Sequence, residues 1–351
     1  MFRSIYRPLA WTIFLITSAG FTLISCPTQP GKSHDNEPDT TSNDFSWTID
    51  TLGNPQYGSS SLSDVAIIDQ DNIWVVGEIN TDSGEYNAAR WDGERWHLMG
   101  IYSNTLDLYS IQYFAANDIW VTSHCFPYHW DGSTWTQCHL NNMGFEGACA
   151  GNAIWGTASS NIYFVGNNGT IVHYDGTTFT RLASGTDLDI RDIWGATDPI
   201  TGQMQILAVA SNDTRRQLLE IRGTTVQSLP VQGLATDIAG VWFIPHQIYY
   251  VVGAGIHYKR TLDDTTWRRY PPGAVTSYYS EGVRGTGVNN VFVAGSFLEL
   301  VHFNGLYWHN FRAVIPPRSG AVGPVAVSKD QMVTVGLIGQ QAIIIRGKRN
   351  D

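Results

Sequence analysis

The segment Asn161-Ile-Tyr-Phe-Val-Gly-Asn-Asn-Gly-Thr-Ile-Val-His-Tyr-Asp-Gly176 decides the fold. It contains an apolar strand that ends in a small residue, a second strand, and an Asp-Gly turn. Phe179 then begins a further strand three residues after the turn. Asp-Gly is a strong hairpin signal because a tight turn needs a positive φ. The segment therefore predicts a compact antiparallel sheet.

The first strand of this segment recurs along the chain. Seven copies end in a small residue, and successive end residues lie 46, 43, 44, 43, 42 and 41 positions apart. Scattered strands would not give such regular spacing, which indicates a repeat architecture. The seven end residues are Gly77, Ser123, Gly166, Ala210, Gly253, Gly295 and Gly336.

Each repeat contains two further features. A strand with a β-branched residue precedes the recurring strand, and a hairpin turn followed by a fourth strand comes after it. The β-branched residues predict an inner strand that neighbouring sheets cover on both faces. They are Val65, Ile111, Ile154, Ile193, Val241, Val283 and Val325. Seven four-stranded units predict an all-β, seven-bladed β-propeller. A pair of β-sandwiches is the alternative fold, but it would not require the same unit each time.

The seventh repeat lacks room for its fourth strand, because only four residues follow Gly347. The segment Ser46-Trp47-Thr48-Ile49-Asp50 resembles the fourth-strand starts Trp135-Thr136 and Phe179-Thr180. We expect this N-terminal strand to complete the last blade, because closure removes the sheet edge that a linear array would expose.

The N-terminal residues read as an export signal. Arg3 and Arg7 precede an apolar stretch from Leu9 to Ile24. Leu23-Ile24-Ser25-Cys26 resembles the bacterial lipobox, in which the cysteine becomes lipidated and forms the new N-terminus. A membrane-spanning anchor is the alternative, but the apolar run is short for a bilayer of about 30 Å. We therefore expect residues 1–25 to be a lipoprotein signal peptide.

The rest of the chain divides into a tether and a domain. Residues 26–44 begin with the lipidated Cys26 and contain no large apolar side chain after it, which predicts a flexible tether. Residues 45–351 form the propeller domain. Without residues 1–25 the chain carries 19 Lys and Arg against 31 Asp and Glu, a formal charge of −12. This charge argues against nucleic acid as a partner.

The repeats resemble those of bacterial extracytoplasmic β-propeller lipoproteins, with an Asn/Asp-aromatic-Val-Gly strand, a Gly-Thr-Ile-His-Tyr-Asp-Gly hairpin and a Trp. The resemblance rests on the segment 161–176, continues through Ser184-Gly-Thr and Ile193-Trp-Gly195, and covers residues 46–351. It implies a fold more than an activity. Asp131-Gly-Ser-Thr-Trp135 is also distantly similar to the Asp-box of sialidases, a structural turn that implies nothing about catalysis.

Four residues are candidates for a ligand face. Asp64, Asp192 and Glu281 lie at or shortly before the start of inner strands, and Arg284 is the lone arginine in a column of Ala, Gln and Trp. Arg284 could reach the central channel and bind an anion. Two of the acids could act as a glycosidase pair if the fold brought them close together. The chain carries no motif that predicts another catalytic residue, a cofactor site or a metal site.

A set of histidines and a set of tryptophans each recur at one position of the repeat, and both sets have a structural and a functional interpretation. His129, His173, His257 and His302 each precede a hairpin aromatic or its equivalent, and a recurring position predicts a role within the repeat. Three tryptophans follow the β-branched residue of an inner strand, which predicts packing between blades; a sugar-stacking surface is the alternative. These are Trp155, Trp194 and Trp242.

Three cysteines remain besides the lipidated one, so an exported domain can form one disulfide. If Asp131-Gly132 is a two-residue turn, Cys125 lies opposite Cys138 at a Cα separation of roughly 4.5 Å, within disulfide range. We therefore expect Cys125 to pair with Cys138. A four-residue loop would place Pro127 opposite Cys138, which leaves Cys138 with Cys149 as the alternative pair.

These features predict a monomeric lipoprotein on the extracytoplasmic face of a bacterial membrane. Its ring would present loops and a channel mouth to another envelope protein, a peptide or a glycan, without a cofactor. The lack of a concentrated catalytic motif favours binding or assembly over catalysis. A carbohydrate-active glycoside hydrolase or lyase is the alternative, and two acids or an arginine cluster converging at the channel mouth would favour it.

Overall fold

The computed structural model describes residues 39–350 apart from 141–144, 146, 148 and 272. The predicted signal peptide, Cys26 and the tether up to residue 38 lie outside the described residues. Among the residues that are described, no helix has the length and apolar character to cross a membrane.

The described residues form 28 strands in seven antiparallel sheets of four strands. The N-terminal strand is β1 (Phe45–Leu52). Blade 1 contains β2 (Ser61–Asp69), β3 (Asn72–Thr81), β4 (Gly84–Trp91) and β5 (Trp96–Met99); blade 2 contains β6 (Ser110–Ala115), β7 (Asp118–Ser123), β8 (Phe126–Trp130) and β9 (Trp135–Gln137). Blade 3 contains β10 (Cys149–Ala158), β11 (Asn161–Asn167), β12 (Ile171–Tyr174) and β13 (Phe179–Leu182); blade 4 contains β14 (Ile190–Thr197), β15 (Met204–Ser211), β16 (Arg216–Arg222) and β17 (Thr225–Leu229). Blade 5 contains β18 (Ile238–Ile244), β19 (Ile248–Gly253), β20 (Gly255–Lys259) and β21 (Arg268–Arg269); blade 6 contains β22 (Ser280–Gly287), β23 (Asn290–Gly295), β24 (Leu300–Phe303) and β25 (Trp308–Asn310). Blade 7 contains β26 (Gly320–Val327), β27 (Gln331–Ile338), β28 (Gln341–Arg349) and β1.

The predicted seven-bladed propeller and its closure by the N-terminal strand are confirmed. Strand β1 is the outermost strand of blade 7 and pairs with β28. Trp47 lies opposite Gly347, where a Cβ would lie 2.6 Å from the indole, and its ring is 4.6 Å from that of Phe311 in blade 6. The N-terminal strand therefore joins blade 7 by backbone pairing and packs against blade 6 through its aromatic side chains.

The antiparallel order gives the ring two distinct faces. Loops that enter the first strand of each blade, and loops between its second and third strands, lie on one face, which we call the mouth face. Turns between the first and second strands, and between the third and fourth, lie on the other, which we call the turn face. The inner strands β2, β6, β10, β14, β18, β22 and β26 contact one another around the central channel.

The hydrophobic core lies between adjacent blades. One buried cluster joins Val65 and Ile73 of blade 1 to Val333 and Ile344 of blade 7, and comparable clusters lie around the ring. Apolar residues on both faces of each inner strand become buried because a sheet packs on each side. The blades are therefore held together by apolar packing.

In blades 1, 2, 3 and 6 the hairpin between the third and fourth strands is a four-residue loop, so the two-residue turn considered for Asp131-Gly132 is wrong. Trp130 pairs with Trp135, and Gly132 has a φ of 96°. The Asp131 carboxylate accepts hydrogen bonds from the backbone N–H groups of Ser133 and Thr134, both at 2.8 Å. The carboxylate of the turn aspartate therefore stabilises the four-residue loop by bonding to its backbone. The Asp-Gly pair in the sequence does not by itself distinguish this loop from a two-residue turn.

The predicted disulfide between Cys125 and Cys138 is also wrong, because Cys125 is bonded to Cys149. The longer loop places Pro127 opposite Cys138, whose N–H donates to the Pro127 carbonyl at 2.9 Å. Cys125 lies in the mouth-face turn of blade 2, next to the first strand of blade 3, which begins at Cys149. The bond therefore joins two blades, a proximity that hairpin register does not reveal. Cys138 is free and half-buried, and burial raises the pKa of its thiol to about 11.

Three of the four recurring histidines have the structural role predicted for them. Each stacks on the aromatic residue opposite it in the second strand, with ring centroids 4.2 to 4.3 Å apart, and places Nε2 within 3.0 Å of the Asp or Asn that begins that strand. They are His129, His173 and His302. His257 is an exception. In blade 5 the residue opposite the second-strand aromatic Tyr250 is Tyr258, so Tyr258 occupies the position that the stacked histidines hold in blades 2, 3 and 6.

Residues 39–44, the described part of the predicted tether, lie against the turn face of blade 6. The Thr41 N–H donates to the Asn304 carbonyl at 3.0 Å, and Asn289 Nδ2 donates to the Asp39 carbonyl at 3.3 Å. The Asn43 side chain lies 2.7 Å from His302 Nδ1. The chain therefore enters the propeller on the face opposite the channel mouth.

Candidate binding site

The central channel contains a cavity of about 570 Å³ that all seven inner strands line. The four residues predicted for a ligand face, Asp64, Asp192, Glu281 and Arg284, all lie in its wall. Sequence spacing alone placed them near the starts of three inner strands, and the ring brings these starts together.

Backbone bulges direct several charged side chains toward the mouth. The pairing register shifts between Ile190 and Asp192 and between Ser280 and Gly282. A bulge leaves one residue unpaired and re-aims its side chain, and the unpaired residues here are Arg191 and Glu281. Sequence analysis missed Arg191, although it occupies the same position as Glu281, two residues before the β-branched residue.

Asp192 and Arg284 form an ion pair inside the channel. Two guanidinium nitrogens of Arg284 donate to the Asp192 carboxylate at 2.7 and 2.9 Å. The Arg284 side chain is 23% exposed and the Asp192 side chain is 11% exposed. Arg284 also donates to the Val241 carbonyl of blade 5 and lies 5.0 Å above the Trp194 ring of blade 4. Burial opposes the charge on Arg284, but the Asp192 carboxylate outweighs this effect and raises the pKa of Arg284. The pair therefore connects blades 4, 5 and 6.

Asp64 has a corresponding position between blades 1 and 2. Its carboxylate accepts hydrogen bonds from Ser110 Oγ at 2.6 Å, from the Ile111 N–H at 2.9 Å and from the Val65 N–H at 2.8 Å. Burial raises the pKa of Asp64 despite these donors. The side chain is therefore a connection between two blades and not a solvated loop residue.

A second group of polar side chains lies closer to the mouth face. Glu281 accepts one hydrogen bond of 3.3 Å from Ser296 Oγ, and burial raises the pKa of Glu281. The Tyr279 hydroxyl donates to Asp237 at 2.8 Å. Arg191 lowers the pKa of Glu281 and Asp237 raises it, so these charges act on one another. Blades 4, 5 and 6 thus contribute one arginine and two carboxylates to the mouth.

The tryptophan column packs between blades, as predicted. Trp155 lies against Gly195 and Trp242 against Gly285, each in the next blade, and both indoles are buried. Trp194 is half-buried beneath Arg284. Two of the three rings are therefore not accessible for stacking against a sugar.

The described residues contain no group of three or more His, Cys, Asp or Glu side chains that could hold a metal ion.

No family model matches the chain, and no curated protein matches it. Solved structures do. YCF48 bound to D1 peptide has a TM-score of 0.65 and 18% identity, covering 90% of this chain and 98% of that one. The WD40 β-propeller domain of Doa1 has a TM-score of 0.61 and 9% identity, covering 85% and 96%. The GH74 enzyme of Niastella koreensis has a TM-score of 0.52 and 15% identity, covering 82% of this chain and 43% of that one. At these identities the similarity shows the fold alone.

Proposed function

We propose that this protein is a lipid-anchored protein of the bacterial cell envelope that binds a protein or peptide segment at the mouth of its channel. The observation that carries the proposal is the mouth itself. An open cavity of about 570 Å³ is lined by Arg191 and Glu281, the charge of Asp237 acts on Glu281, and the deeper charges Asp192 and Arg284 are already paired. Such a concave site with a few convergent polar groups is typical of a binding site.

Glycoside hydrolysis fits this geometry less well. A hydrolase needs one carboxylic acid that donates a proton and a second carboxylate that is free to act as nucleophile or base. The Asp192 carboxylate is held by Arg284, and the Asp64 carboxylate is held by three donors. The two deep acids therefore hold blades together and are not available for catalysis. At the mouth, Asp237 accepts the Tyr279 hydroxyl and Glu281 accepts Ser296 Oγ. Because a pair of acids at the mouth is also what a glycoside hydrolase requires, hydrolysis by Asp237 and Glu281 is the second candidate function.

Two further observations support a peptide or protein as the ligand. YCF48, which has a similar fold at 18% identity, is known in a structure bound to D1 peptide. In the present protein, residues 39–43 contact the turn face, so this described part of the tether does not cover the mouth. The extracytoplasmic location itself follows from the predicted signal peptide and Cys26.

The proposal is tested with the full chain and a library of random decapeptides. We expect peptide binding that is lost in Ser63→Trp, because Ser63 lines the cavity and an indole there fills part of it. Thr224→Trp places the same ring on an exposed turn-face loop and should bind as the wild type does. The absence of peptide binding, or equal binding by both variants, would refute the proposed site.

A further inference from the structure

An exposed pair of aromatic rings lies on the mouth face of blade 6. Tyr278, in the loop that enters β22, and Phe297, in the loop between β23 and β24, have ring centroids 4.4 Å apart. They are 39% and 45% exposed. Aromatic side chains on a surface that also carries convergent charges are a frequent feature of protein interaction sites.

The backbone holds Phe297 in an unfavourable conformation. Its φ is 60°, in the left-handed region that bulky residues rarely adopt. The Phe297 N–H donates to the Gly320 carbonyl at 2.8 Å, and its carbonyl accepts from the Arg318 N–H at 3.3 Å. Leu298, with a φ of 61°, is buried in the core, so packing explains its position. The tight turn between β23 and β24 requires a positive φ at both positions, as at Asn168 and Gly169 in blade 3, and Asn or Gly is the usual residue there. Neither the turn nor packing therefore explains an exposed aromatic ring at position 297.

The aromatic pair is connected directly to the carboxylates of the mouth. The Ser296 N–H donates to the Tyr279 carbonyl at 2.9 Å, and Ser296 Oγ donates to Glu281. Ser296 also forms a β-bridge with Ala321, which pairs with the 38% exposed Leu337 at the edge of the cavity. One continuous surface therefore contains apolar rings, an aliphatic side chain and carboxylates.

The charges that act on Glu281 favour a cation at that position. Asp237 is a second carboxylate there and Arg191 is the guanidinium. Arg318 is exposed beside Phe297, to whose carbonyl its N–H donates, so the cation is expected at Glu281 and not at the aromatic pair. Arg312, near Tyr278, is bonded to Glu299 at 3.3 Å and therefore already has a carboxylate partner. Glu281 accepts one long hydrogen bond, so its carboxylate has capacity for a further donor.

We propose that the mouth face recognises a basic side chain, arginine or lysine, next to an apolar residue in an extended peptide. Glu281 and Asp237 bind the cation, while Tyr278, Phe297 and Leu337 contact the apolar neighbour. The inference rests on the proposed function, because it names the chemistry of the peptide that the channel mouth binds.

The test uses the full chain and immobilised decapeptides in which one position at a time is fixed as each amino acid. We expect enrichment of arginine or lysine beside an apolar residue. Phe297→Asn and Glu281→Gln should each weaken binding of the best peptide at least about tenfold. Asparagine tolerates a positive φ, so Phe297→Asn removes the ring and keeps the backbone conformation. Phe297→Gly is a second variant that adopts this φ without strain.

Matched controls come from the turn face. Tyr307→Asn removes a ring that is 52% exposed, and Glu94→Gln neutralises an exposed carboxylate. Both should bind within about twofold of the wild type. Enrichment of acidic peptides, or binding that is unchanged in Phe297→Asn and Glu281→Gln, would overturn the inference. If Ser63→Trp still abolishes binding in that case, the proposed function stands and only the basic-peptide preference fails.

Discussion

Asp64, Ser110 and Asp192 occupy one column of the repeat, directly before the β-branched residue of the inner strand. Each accepts a hydrogen bond from a backbone N–H of the next blade, at 2.9, 3.2 and 2.9 Å respectively. The donors are Ile111, Ile154 and Val241. A buried backbone N–H without a partner would cost free energy, so these side chains stabilise the contacts between inner strands.

Breaking the ion pair between Asp192 and Arg284 should be strongly destabilising. Arg284→Met leaves a buried carboxylate without its cation, and we expect the free energy of unfolding to fall by about 3–5 kcal/mol. Arg215 and Asp187 form an exposed pair at 2.8 Å, and Arg215→Met should change the free energy of unfolding far less, because solvent screens this pair. Urea denaturation measures both values. Similar losses in the two variants would contradict a structural role for the channel pair.

His257 should make stability depend on pH. Its Nε2 accepts the Ala235 N–H at 3.1 Å, and burial together with Arg269 and Arg216 lowers the pKa of His257 to about 4. The unfolded chain, with a histidine pKa of about 6.5, binds the proton more readily below that pH. The contribution of His257 is therefore complete above about pH 6.5 and decreases as the pH falls toward 4.

His257→Gln should reduce this slope, which for one proton is at most about 1.4 kcal/mol per pH unit. Glutamine retains an oxygen that can accept the Ala235 N–H. His139→Gln, at an exposed position, is the matched control. Denaturation midpoints between pH 7 and 4.5 give the slope. An unchanged slope in His257→Gln would show that this histidine does not titrate as we expect.

At the scale of elements, the disulfide joins a loop of blade 2 to the first strand of blade 3. Peptide mapping without reduction should yield a linked pair of Cys125 and Cys149, with Cys138 as a free thiol. The bond closes a loop with a sequence separation of 24 residues and so restricts the unfolded chain. In the chain-entropy model, Cys125→Ser should therefore lower the free energy of unfolding by about 3 kcal/mol. A linked peptide that contains Cys138 would show that the bridge is placed differently.

Strand β1 should be essential for the integrity of blade 7. Deleting Phe45–Leu52 exposes the edge of β28, and an unpaired apolar edge promotes aggregation. We expect the deletion variant to aggregate or to melt well below the wild type in a thermal scan. An unchanged Tm would show that closure by β1 contributes little.

A point substitution separates the packing of β1 from its backbone pairing. Trp47 contacts Phe311 and covers Gly347, so Trp47→Ala should lower the free energy of unfolding by about 3 kcal/mol. Ile49 belongs to the same strand but is 44% exposed, and Ile49→Ala should change stability by about 0.5 kcal/mol or less. Equal effects in urea denaturation would indicate that the indole does not anchor the strand.

At the scale of the whole molecule, the proposed lipid at Cys26 determines where the propeller is located. Cys26→Ala should move the protein from the detergent phase to the aqueous phase, because the substitution removes the proposed site of lipid attachment. Cys138→Ala is the matched control and should remain with the membrane fraction. Detection of Cys26→Ala in the detergent phase at the wild-type level would count against lipidation.

The repeat pattern made the fold and much of the candidate site predictable. Spacing near 43 residues indicated seven blades, and the missing fourth strand in the last repeat indicated closure by residues 46–50. Asp64, Asp192, Glu281 and Arg284 were expected on a ligand face because they lie at or near the starts of inner strands, and those strands line the channel. These features are periodic, and each blade repeats them locally.

The tertiary structure alone decided which groups bond to one another between blades. Cys125 meets Cys149, Arg284 reaches Asp192 across blade 5, and Phe297 stacks on Tyr278. The repeat spacing does not specify the bulges and turn conformations that set these contacts, since loop length and local register aim each side chain. The number, order and closure of the blades can therefore be predicted from the repeat pattern. The partners of the charged and sulfur-containing side chains depended on distances that exist only once the ring is closed.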